Sequence, residues 1–292
     1  MKNVFDVLKE LDANFTEEQR ARIEERITQM LTYVPRIGVF GKTGAGKSSL
    51  CNALFGQDIC AVSDVEACTR HPQDVLLKIG EGKGITLLDV PGVGENQLRD
   101  EEYSTLYKNL LPELDAILWV LKADDRAYSI DIDFYVSVVK PHLKNGKPFI
   151  IALNQIDKVE PFREWDIVKH TPGSKQAKNI DIKISGVANN FQLKQSLIIA
   201  VSAEEKYGLT KLVDELIFSL PDEKKISIAR EVPKENLSEK AKKEVKESTS
   251  RVVGRVIAGV TTGAAIGAKV AGPVGAIVGG IVGGIGGFFS LW

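Results

Sequence analysis

The segment Gly41–Ser48 has the residue types and the spacing of a phosphate-binding loop. It reads GKTGAGKS, which fits the pattern G-x-x-x-x-G-K-[ST], and it lies between a short apolar run and a helical pattern. Glycines let backbone N–H groups close around phosphate oxygens. Lys47 would supply a positive charge to the terminal phosphates, and the Ser48 hydroxyl is a candidate Mg²⁺ ligand. The following helix points its positive end at the same anion, so we predict nucleotide contacts from Gly41, Lys42, Thr43, Gly44, Ala45, Gly46, Lys47, Ser48 and Ser49.

Two residues of the segment DVPG at 89–92 are predicted to meet the triphosphate end of the same nucleotide. The segment follows an apolar run that has the length of a strand. Asp89 is a candidate for holding Mg²⁺ through water, and the Gly92 N–H is a candidate donor to the γ-phosphate.

The segments Asn154–Asp157 and Ser202–Ala203 indicate which base is bound, and each follows a predicted strand. A carboxylate at Asp157 can accept two hydrogen bonds from the edge of guanine. Adenine lacks those donors and would leave a buried charge unpaired. A backbone N–H of Ser202–Ala203 is predicted to meet the guanine oxygen. The order of these segments, with Asn154 and Asp157 as the central pair, favours GTP over ATP.

The elements that must position these residues follow from the alternation of apolar runs with helical stretches, which predicts an α/β fold with a mostly parallel sheet. The predicted strands are Ile37–Phe40, Val75–Ile79, Ile85–Leu88, Ala116–Leu121, Phe149–Leu153 and Leu197–Val201. The predicted helices are Lys47–Leu54, Glu101–Leu110, Ile130–His142 and Leu209–Leu220. We expect the second and third strands to pair antiparallel. The motifs then fall at the carboxyl ends of strands, where open sheets of this kind bind ligands.

Four regions are predicted along the chain. Residues 1–34 form an N-terminal helical segment, in which Thr16–Gln19 is a capping box and an apolar stripe follows. Residues 35–220 form the nucleotide-binding domain, with an insertion at 158–195 that contains a helix from about Gln176 to Phe191. Residues 221–250, rich in Lys and Glu, are expected to be a solvated helical linker, and residues 251–292 a Gly-rich hydrophobic tail.

The composition of the 292-residue chain excludes several classes of protein. A net charge of −1 argues against a general attraction to nucleic acid or anionic lipid. Three cysteines without metal-type spacing argue against a disulfide framework and a zinc site. The charged N-terminal region is unlike a secretory signal. We therefore expect a cytoplasmic protein.

The motifs resemble those of the Era/TrmE-like group of P-loop GTPases. Within that group, the chain is similar to prophage-associated bacterial GTPases that carry a GKSSLCNALF helix, a DxPGVGE switch and an LWxxKADDRA segment. Here these are Gly46–Phe55, Asp89–Glu95 and Leu118–Ala127, and the resemblance covers residues 36–220. It implies a G domain that binds GTP or GDP with Mg²⁺. It also implies that Thr69 is the switch threonine that completes Mg²⁺ coordination together with Ser48 and Asp89, and that Lys47, Thr69 and Gly92 serve hydrolysis.

Three residues depart from the pattern of these GTPases. Gln155 replaces a lysine whose stem covers one face of the base, so we expect weaker nucleotide affinity with specificity kept by Asp157. Val93 stands where Ras-like proteins have the glutamine that orients the attacking water, so intrinsic hydrolysis should be slow. Gly44 replaces the asparagine of potassium-activated relatives, which puts potassium activation in doubt.

Arg126 is a candidate charge-neutralising residue, supplied across a homodimer that forms on the nucleotide face. The alternative is a surface ion pair with the neighbouring Asp124 and Asp125, because such pairs are common and weak. A ribosome- or RNA-associated role is not favoured, since no basic module with interleaved aromatic residues is visible.

The tail Val252–Trp292 contains only two charged residues, Arg255 and Lys269. Glycines recur every four residues in a glycine-zipper pattern, which places them on one helix face, and the stretch after Lys269 is long enough to span a bilayer. We expect the tail to carry the protein to the inner face of a membrane. The alternative is a helical hairpin packed on the G domain or in an oligomer. A second hypothesis for the function is structural, in which the G domain gates assembly of a tail that oligomerises or perturbs bilayers.

Overall fold

A six-stranded sheet lies at the centre of the structure, a computed structural model that describes residues 15–55, 73–78, 84–89, 110–125, 127–260, 273–289 and 291. Its strand order is β2-β3-β1-β4-β5-β6. The strands are β1 (Arg36–Phe40), β2 (Gln73–Lys78), β3 (Gly84–Asp89), β4 (Ala116–Lys122), β5 (Phe149–Asn154) and β6 (Ile198–Ala200). Five of them run parallel, and β2 alone pairs antiparallel, with β3. The predicted α/β class, the mostly parallel sheet and the antiparallel pair are confirmed.

Helices cover both faces of this sheet. They are α1 (Glu17–Thr32), α2 (Lys47–Phe55), α3 (Ser129–Phe134), α4 (Ser174–Phe191), α5 (Leu209–Ser219), α6 (Asp222–Ala229), α7 (Glu239–Val260) and α8 (Pro273–Phe289). The predicted helix Ile130–His142 begins as α3, continues through one π turn at Tyr135–Val139 and ends in a 3₁₀ turn at Lys140–Asn145. The predicted helix Glu101–Leu110 lies almost entirely outside the described residues.

The central strands β4 and β5 are apolar along nearly all of their length because helices bury both of their faces. All six residues of β5 are buried, and so are the first six of β4. On one face, α3 and α4 pack against a cluster built around Trp119, whose ring stacks on Phe40 at a centroid distance of 5.7 Å. On the other face, α2 and α5 lie next to the sheet, and α1, α6, α7 and α8 contribute to the same core.

The N-terminal helix α1 forms as its sequence predicts. Thr16 and Gln19 close a capping box, in which each side chain bonds the other residue's backbone N–H. The buried side chains are those of the predicted stripe, Ile23, Ile27, Met30 and Leu31.

The helix predicted inside the 158–195 insertion is α4, and it is the crossover between the parallel strands β5 and β6. Ile180, Val187 and Phe191 of α4 are buried against the sheet. Interpretation of this helix as an insertion is therefore wrong, because parallel neighbours require such a connection. The part of the predicted insertion that precedes α4 is residues 158–173, and we call this segment the 158–173 loop.

Residues 221–250 do not form a solvated linker. Ile226 and Ile228 of α6 are fully buried, and α6 packs against α7 in the main core. The Lys and Glu residues that suggested a solvated segment pair with one another instead. Lys225 bonds Glu244, and Arg251 bonds Asp222 at 2.8 Å, so these charges join α6 to α7.

The predicted boundary between linker and tail, at 250–251, falls inside the continuous helix α7. The next helix, α8, buries Ile277, Ile281 and Ile285 in the core that it shares with α7. Its glycines Gly279, Gly283 and Gly287 are exposed. Among the helices that the structure describes, none combines the length and the apolar content that crossing a membrane requires.

Candidate functional site

The loop between β1 and α2 has the backbone shape that its glycines permit. Gly41 and Gly46 have φ angles of 140° and 84°. A Cβ atom at Gly41 would lie 2.2 Å from the Val120 carbonyl oxygen, and one at Gly46 would lie 2.5 Å from Nδ2 of Asn154. Side chains at these positions would therefore push the loop away from β4 and β5, against which it closes.

Lys47, the first residue of α2, folds its side chain back over this loop. Its Nζ donates to the Gly41 carbonyl at 2.9 Å and to the Lys42 carbonyl at 3.4 Å. Ser48 and Ser49 follow in the first turn of α2, where helix N–H groups lack intrahelical partners. The ammonium, the loop and the helix N-terminus thus converge as phosphate binding requires.

The charge of the Lys42 side chain is paired within the protein and is not left free in the phosphate-binding loop. Its Nζ lies 2.8 Å from Oδ2 of Asp131, a residue of α3 that is only 1% exposed. The other oxygen of Asp131 accepts a hydrogen bond from the Trp119 indole at 3.3 Å. Lys42 Nζ also donates to the Ala127 carbonyl at 3.3 Å. The predicted nucleotide contact of Lys42 is therefore left to its backbone.

Two consecutive amides at the end of β5 hold two consecutive carbonyls of the loop. Nδ2 of the buried Asn154 donates to the Ala45 carbonyl at 2.9 Å, and Nε2 of Gln155 donates to the Gly44 carbonyl at 3.0 Å. Oδ1 of Asn154 accepts from the Ala203 N–H at 3.1 Å. Asn154 therefore joins the phosphate-binding loop to the segment after β6. The predicted contact of the Ala203 N–H with a base oxygen stays a prediction, because here that N–H bonds Asn154.

Ser202 is buried and shapes the segment after β6. Its backbone exchanges hydrogen bonds with that of Tyr207, both at 3.0 Å, and its Oγ accepts from the Glu205 N–H at 3.1 Å. The structure thus assigns the Ser202 side chain to the turn, and a nucleotide contact from this residue stays a prediction.

Asp157 lies in the 3₁₀ turn Ile156–Lys158 that follows Gln155. Its Oδ1 is shielded from solvent and has no hydrogen-bond partner in the part of the chain that the structure describes. A cavity of about 500 Å³, here called the Asp157 cavity, lies beside it and is lined by Asp157, Lys158, Phe162, Arg163, Trp165, Ile167 and Glu205. Since buried polar atoms are nearly always paired, this oxygen fits a ligand that donates hydrogen bonds, as the guanine edge does.

Glu205 also lines the Asp157 cavity and contacts the 158–173 loop. Its Oε2 lies 2.6 Å from Nδ1 of His170, and this hydrogen bond lowers the pKa of Glu205. The contact links the segments that follow β5 and β6, so the two sides of the cavity are fixed relative to each other.

The predicted Mg²⁺ ligands are placed only in part. Asp89 ends β3 in register with Val39 of β1, two residues before Gly41, so the backbone brings Asp89 beside the phosphate-binding loop. Ser48 lies in the first turn of α2 at the same edge of the sheet. A hydroxyl and a carboxylate suit a hard cation such as Mg²⁺. Thr69 and Gly92 lie outside the described residues, as do Val93 and Arg126.

A second cavity, of about 170 Å³, lies between the phosphate-binding loop and the segment after β4. Its lining includes Thr43, Gly44, Lys122 and Asp125. Together with the bond from Lys42 to Ala127, this brings the chain on either side of position 126 close to the loop.

The order of the sheet and the convergence of these residues can be compared with known proteins. The family described as 50S ribosome-binding GTPase matches residues 36–155. YfjP of Escherichia coli (strain K12), described as uncharacterized, is 45% identical over 202 residues, which are 69% of this chain and 68% of YfjP. YkfA of the same strain is 44% identical over the same shares of both chains. The chain belongs to this GTPase family.

More distant similarities are also found. GTPase Der of Leptospira borgpetersenii serovar Hardjo-bovis (strain L550) is 29% identical over 215 residues, which are 70% of this chain and 39% of Der. A crystal structure of Aquifex aeolicus Era bound to GDP·AlF₄⁻ superposes with a TM-score of 0.48 at 27% identity, covering 64% of this chain and 57% of Era. The matches to the family, to YfjP and YkfA, and to Der confirm the resemblance to these GTPases.

Membership makes the chain a GTPase, and guanine nucleotide with Mg²⁺ is what such enzymes use. The sequence patterns missed two features of the site. The first is Asp131, a carboxylate at a buried position of α3, where a charged residue is found only when its charge is paired. The second is the 158–173 loop, whose Phe162 and Trp165 line the Asp157 cavity, and no sequence pattern indicates that position.

Proposed function

We propose that the chain is a GTP-binding switch that selects guanine through Asp157 and hydrolyses GTP slowly. The observation that carries this proposal is the unpaired, buried Oδ1 of Asp157, in a turn whose preceding residues, Asn154 and Gln155, hold the phosphate-binding loop. A ligand that reaches from that loop to Asp157 has phosphates at one end and hydrogen-bond donors at the other, which is the layout of GTP.

Nucleotide selectivity tests this assignment. Wild-type protein should bind GTP at least 100-fold more tightly than ATP, because adenine leaves the carboxylate unpaired. The Asp157→Asn variant should lose GTP and gain xanthosine triphosphate, since the amide reverses one donor–acceptor relation. Asp181→Asn, a change of an exposed carboxylate on α4, serves as the control. Equal affinity of the wild type for ATP and GTP would contradict the proposal.

Completion of the site by a second copy or by a partner is part of the proposal. Its support is Val93, which has no group to orient water, and Arg126, whose neighbour Ala127 is held by Lys42 of the phosphate-binding loop. Turnover per molecule should rise with protein concentration, and Arg126→Ala should abolish the rise. A fast turnover that does not depend on concentration would count against completion by a second copy.

Attachment to a membrane through the tail is proposed as the place of action. The support is the sequence of Val252–Trp292, in which only Arg255 and Lys269 are charged. Flotation with liposomes tests it, using full-length protein and a truncation after Val260 that keeps α7 whole, each with GDP and with a non-hydrolysable GTP analogue. If full-length protein stays at the bottom of the flotation gradient in both nucleotide states, the tail acts as a packed helix of the protein. That arrangement would serve GTP-gated assembly.

Ribosome binding is a third candidate, favoured by the family's description as 50S ribosome-binding GTPases. Co-sedimentation with ribosomes in GTP and GDP, at two salt concentrations, separates it from the membrane proposal. Binding that depends on GTP and survives moderate salt would support it, because nonspecific binding to RNA falls steeply with salt.

A further inference from the structure

The 158–173 loop gives the Asp157 cavity an apolar wall. Phe162 and Ile167 both line this cavity and are 50% and 76% exposed, respectively. Large apolar side chains that remain exposed at a cavity, with polar groups such as Asp157 and Glu205 beside them, are typical of ligand-binding surfaces. The wall lies next to the unpaired oxygen of Asp157, so one ligand can satisfy both.

Hydrogen bonds within the 158–173 loop fix the shape of this wall. Asp166 and Thr171 exchange backbone hydrogen bonds at 2.9 and 3.3 Å. The Glu164 carboxylate accepts from the Lys175 N–H at 2.9 Å, which ties the loop to the first turn of α4. A wall that is already ordered loses little conformational entropy when a ligand binds.

The same loop is anchored to the segment after β6. Trp165 packs edge-on against Tyr207 at a centroid distance of 5.7 Å, and His170 bonds Glu205 at 2.6 Å. The wall therefore holds its position relative to Ser202–Ala203 as well as to Asp157.

Gln155 offers less apolar cover than the lysine stem that covers the base in related GTPases, because its side chain is shorter. Its Nε2 bonds the Gly44 carbonyl at 3.0 Å, and its Oε1 accepts from Lys158 Nζ at 3.3 Å. Both ends of the amide are engaged with the protein, so the short stem of Gln155 is held at the phosphate-binding loop and leaves room for further apolar cover of the base.

We propose that Phe162 and Ile167 form the surface against which the guanine base packs, and that they set nucleotide affinity in place of the missing lysine. This inference rests on the proposed GTP site. Purine rings stack on aromatic side chains, and the loss of one such contact weakens binding by about tenfold. Arg163 lies with its guanidinium carbon 6.0 Å from the centroid of the Phe162 ring, a contact that helps to hold the ring.

Calorimetric titration with GDP and with inorganic pyrophosphate, a ligand without a base, tests the proposal. Phe162→Ala should weaken GDP binding about tenfold and leave pyrophosphate binding unchanged. Phe162→Tyr should keep wild-type affinity because it keeps the ring. Val168→Ala, in the same loop at a residue that is 89% exposed, is the matched control and should bind GDP as wild type does.

The outcomes separate this inference from the proposed function. Suppose that the wild type binds GDP, that Asp157→Asn loses GDP binding, and that Phe162→Ala keeps full affinity. The proposed role of the wall is then wrong, and the proposed GTP site is supported. Equal losses for GDP and pyrophosphate in Phe162→Ala also overturn the wall. If the wild type binds no GDP, both proposals fail. The melting temperature of each variant shows whether it folds. Ile167→Ser provides a second test of the wall, at an exposed position.

Discussion

Lys47 is the residue on which phosphate binding depends most directly. Lys47→Ala should weaken GTP binding by at least 100-fold, because the ammonium that folds over the loop would be lost. Calorimetry measures the effect, with Lys211→Ala on α5 as the control. Since Lys47 also bonds two loop carbonyls, the melting temperature of the free protein shows whether the loss reflects phosphate contact or a disturbed loop. Unchanged nucleotide affinity would refute the role of Lys47.

Single residues also mark the limit of what sequence patterns predict. The motif identifies Lys42 only as a variable position in the loop, whereas the structure pairs it with the buried Asp131 of α3. Nothing in the spacing of the two residues, 89 positions apart, indicates that contact, since it depends on how α3 is placed against β1. The conformations of Gly41 and Gly46, in contrast, follow from the motif because only glycine allows the loop to close on β4 and β5.

At the level of elements, the contact between α6 and α7 should stabilise the protein less at low pH. The hydrogen bond from Arg251 lowers the pKa of Asp222 to about 2. Because the pKa is lower in the folded state, the stabilisation is fully present above pH of about 4 and is lost as the pH falls towards 2. Arg251 is about half exposed, so we expect a contribution of only about 1 kcal/mol.

Unfolding in urea as a function of pH measures this contribution. Asp222→Asn should be less stable than wild type by about 1 kcal/mol at pH 7, and the difference should shrink as the pH approaches 3. Asp181→Asn on α4 is the control for a carboxylate outside this cluster. A difference that stays constant across the pH range would show that Asp222 acts by packing alone.

Elements with a strong period or a specific motif were predictable, and those that depend on tertiary contacts were not. The predicted capping box and apolar stripe of α1 are present in the structure, and so are the predicted central strands. The Lys- and Glu-rich composition around α6 predicts a linker, whereas the structure packs α6 in the core. The pairing of these charges across two helices becomes visible only once α6 and α7 are packed.

For the molecule as a whole, α8 has two faces that should respond oppositely to substitution. Ile281→Asp should destabilise the protein by more than about 3 kcal/mol, since it buries a charge in the core. Gly283→Ala should stabilise it by up to about 1 kcal/mol, because a Cβ at this exposed glycine meets nothing within 4 Å.

Thermal unfolding of the two α8 variants, together with size-exclusion chromatography, checks this expectation. If the glycines of α8 serve as a contact between copies, Gly283→Ala would instead shift the oligomeric state without stabilising the monomer. A soluble, fully folded Ile281→Asp protein would show that α8 does not pack on α7 in solution.

The joining of α1 to the C-terminal helices has a consequence for the order of folding. Gln19 of α1 bonds the Val260 carbonyl across 241 residues of chain, and Ser227 bonds the Met30 carbonyl in the same layer. During synthesis, α1 must wait on the order of tens of seconds before α7 is complete. Until then its apolar stripe lacks the cover that α7 provides, so α1 should complete its docking late, and the nascent chain should depend most on chaperones during this interval.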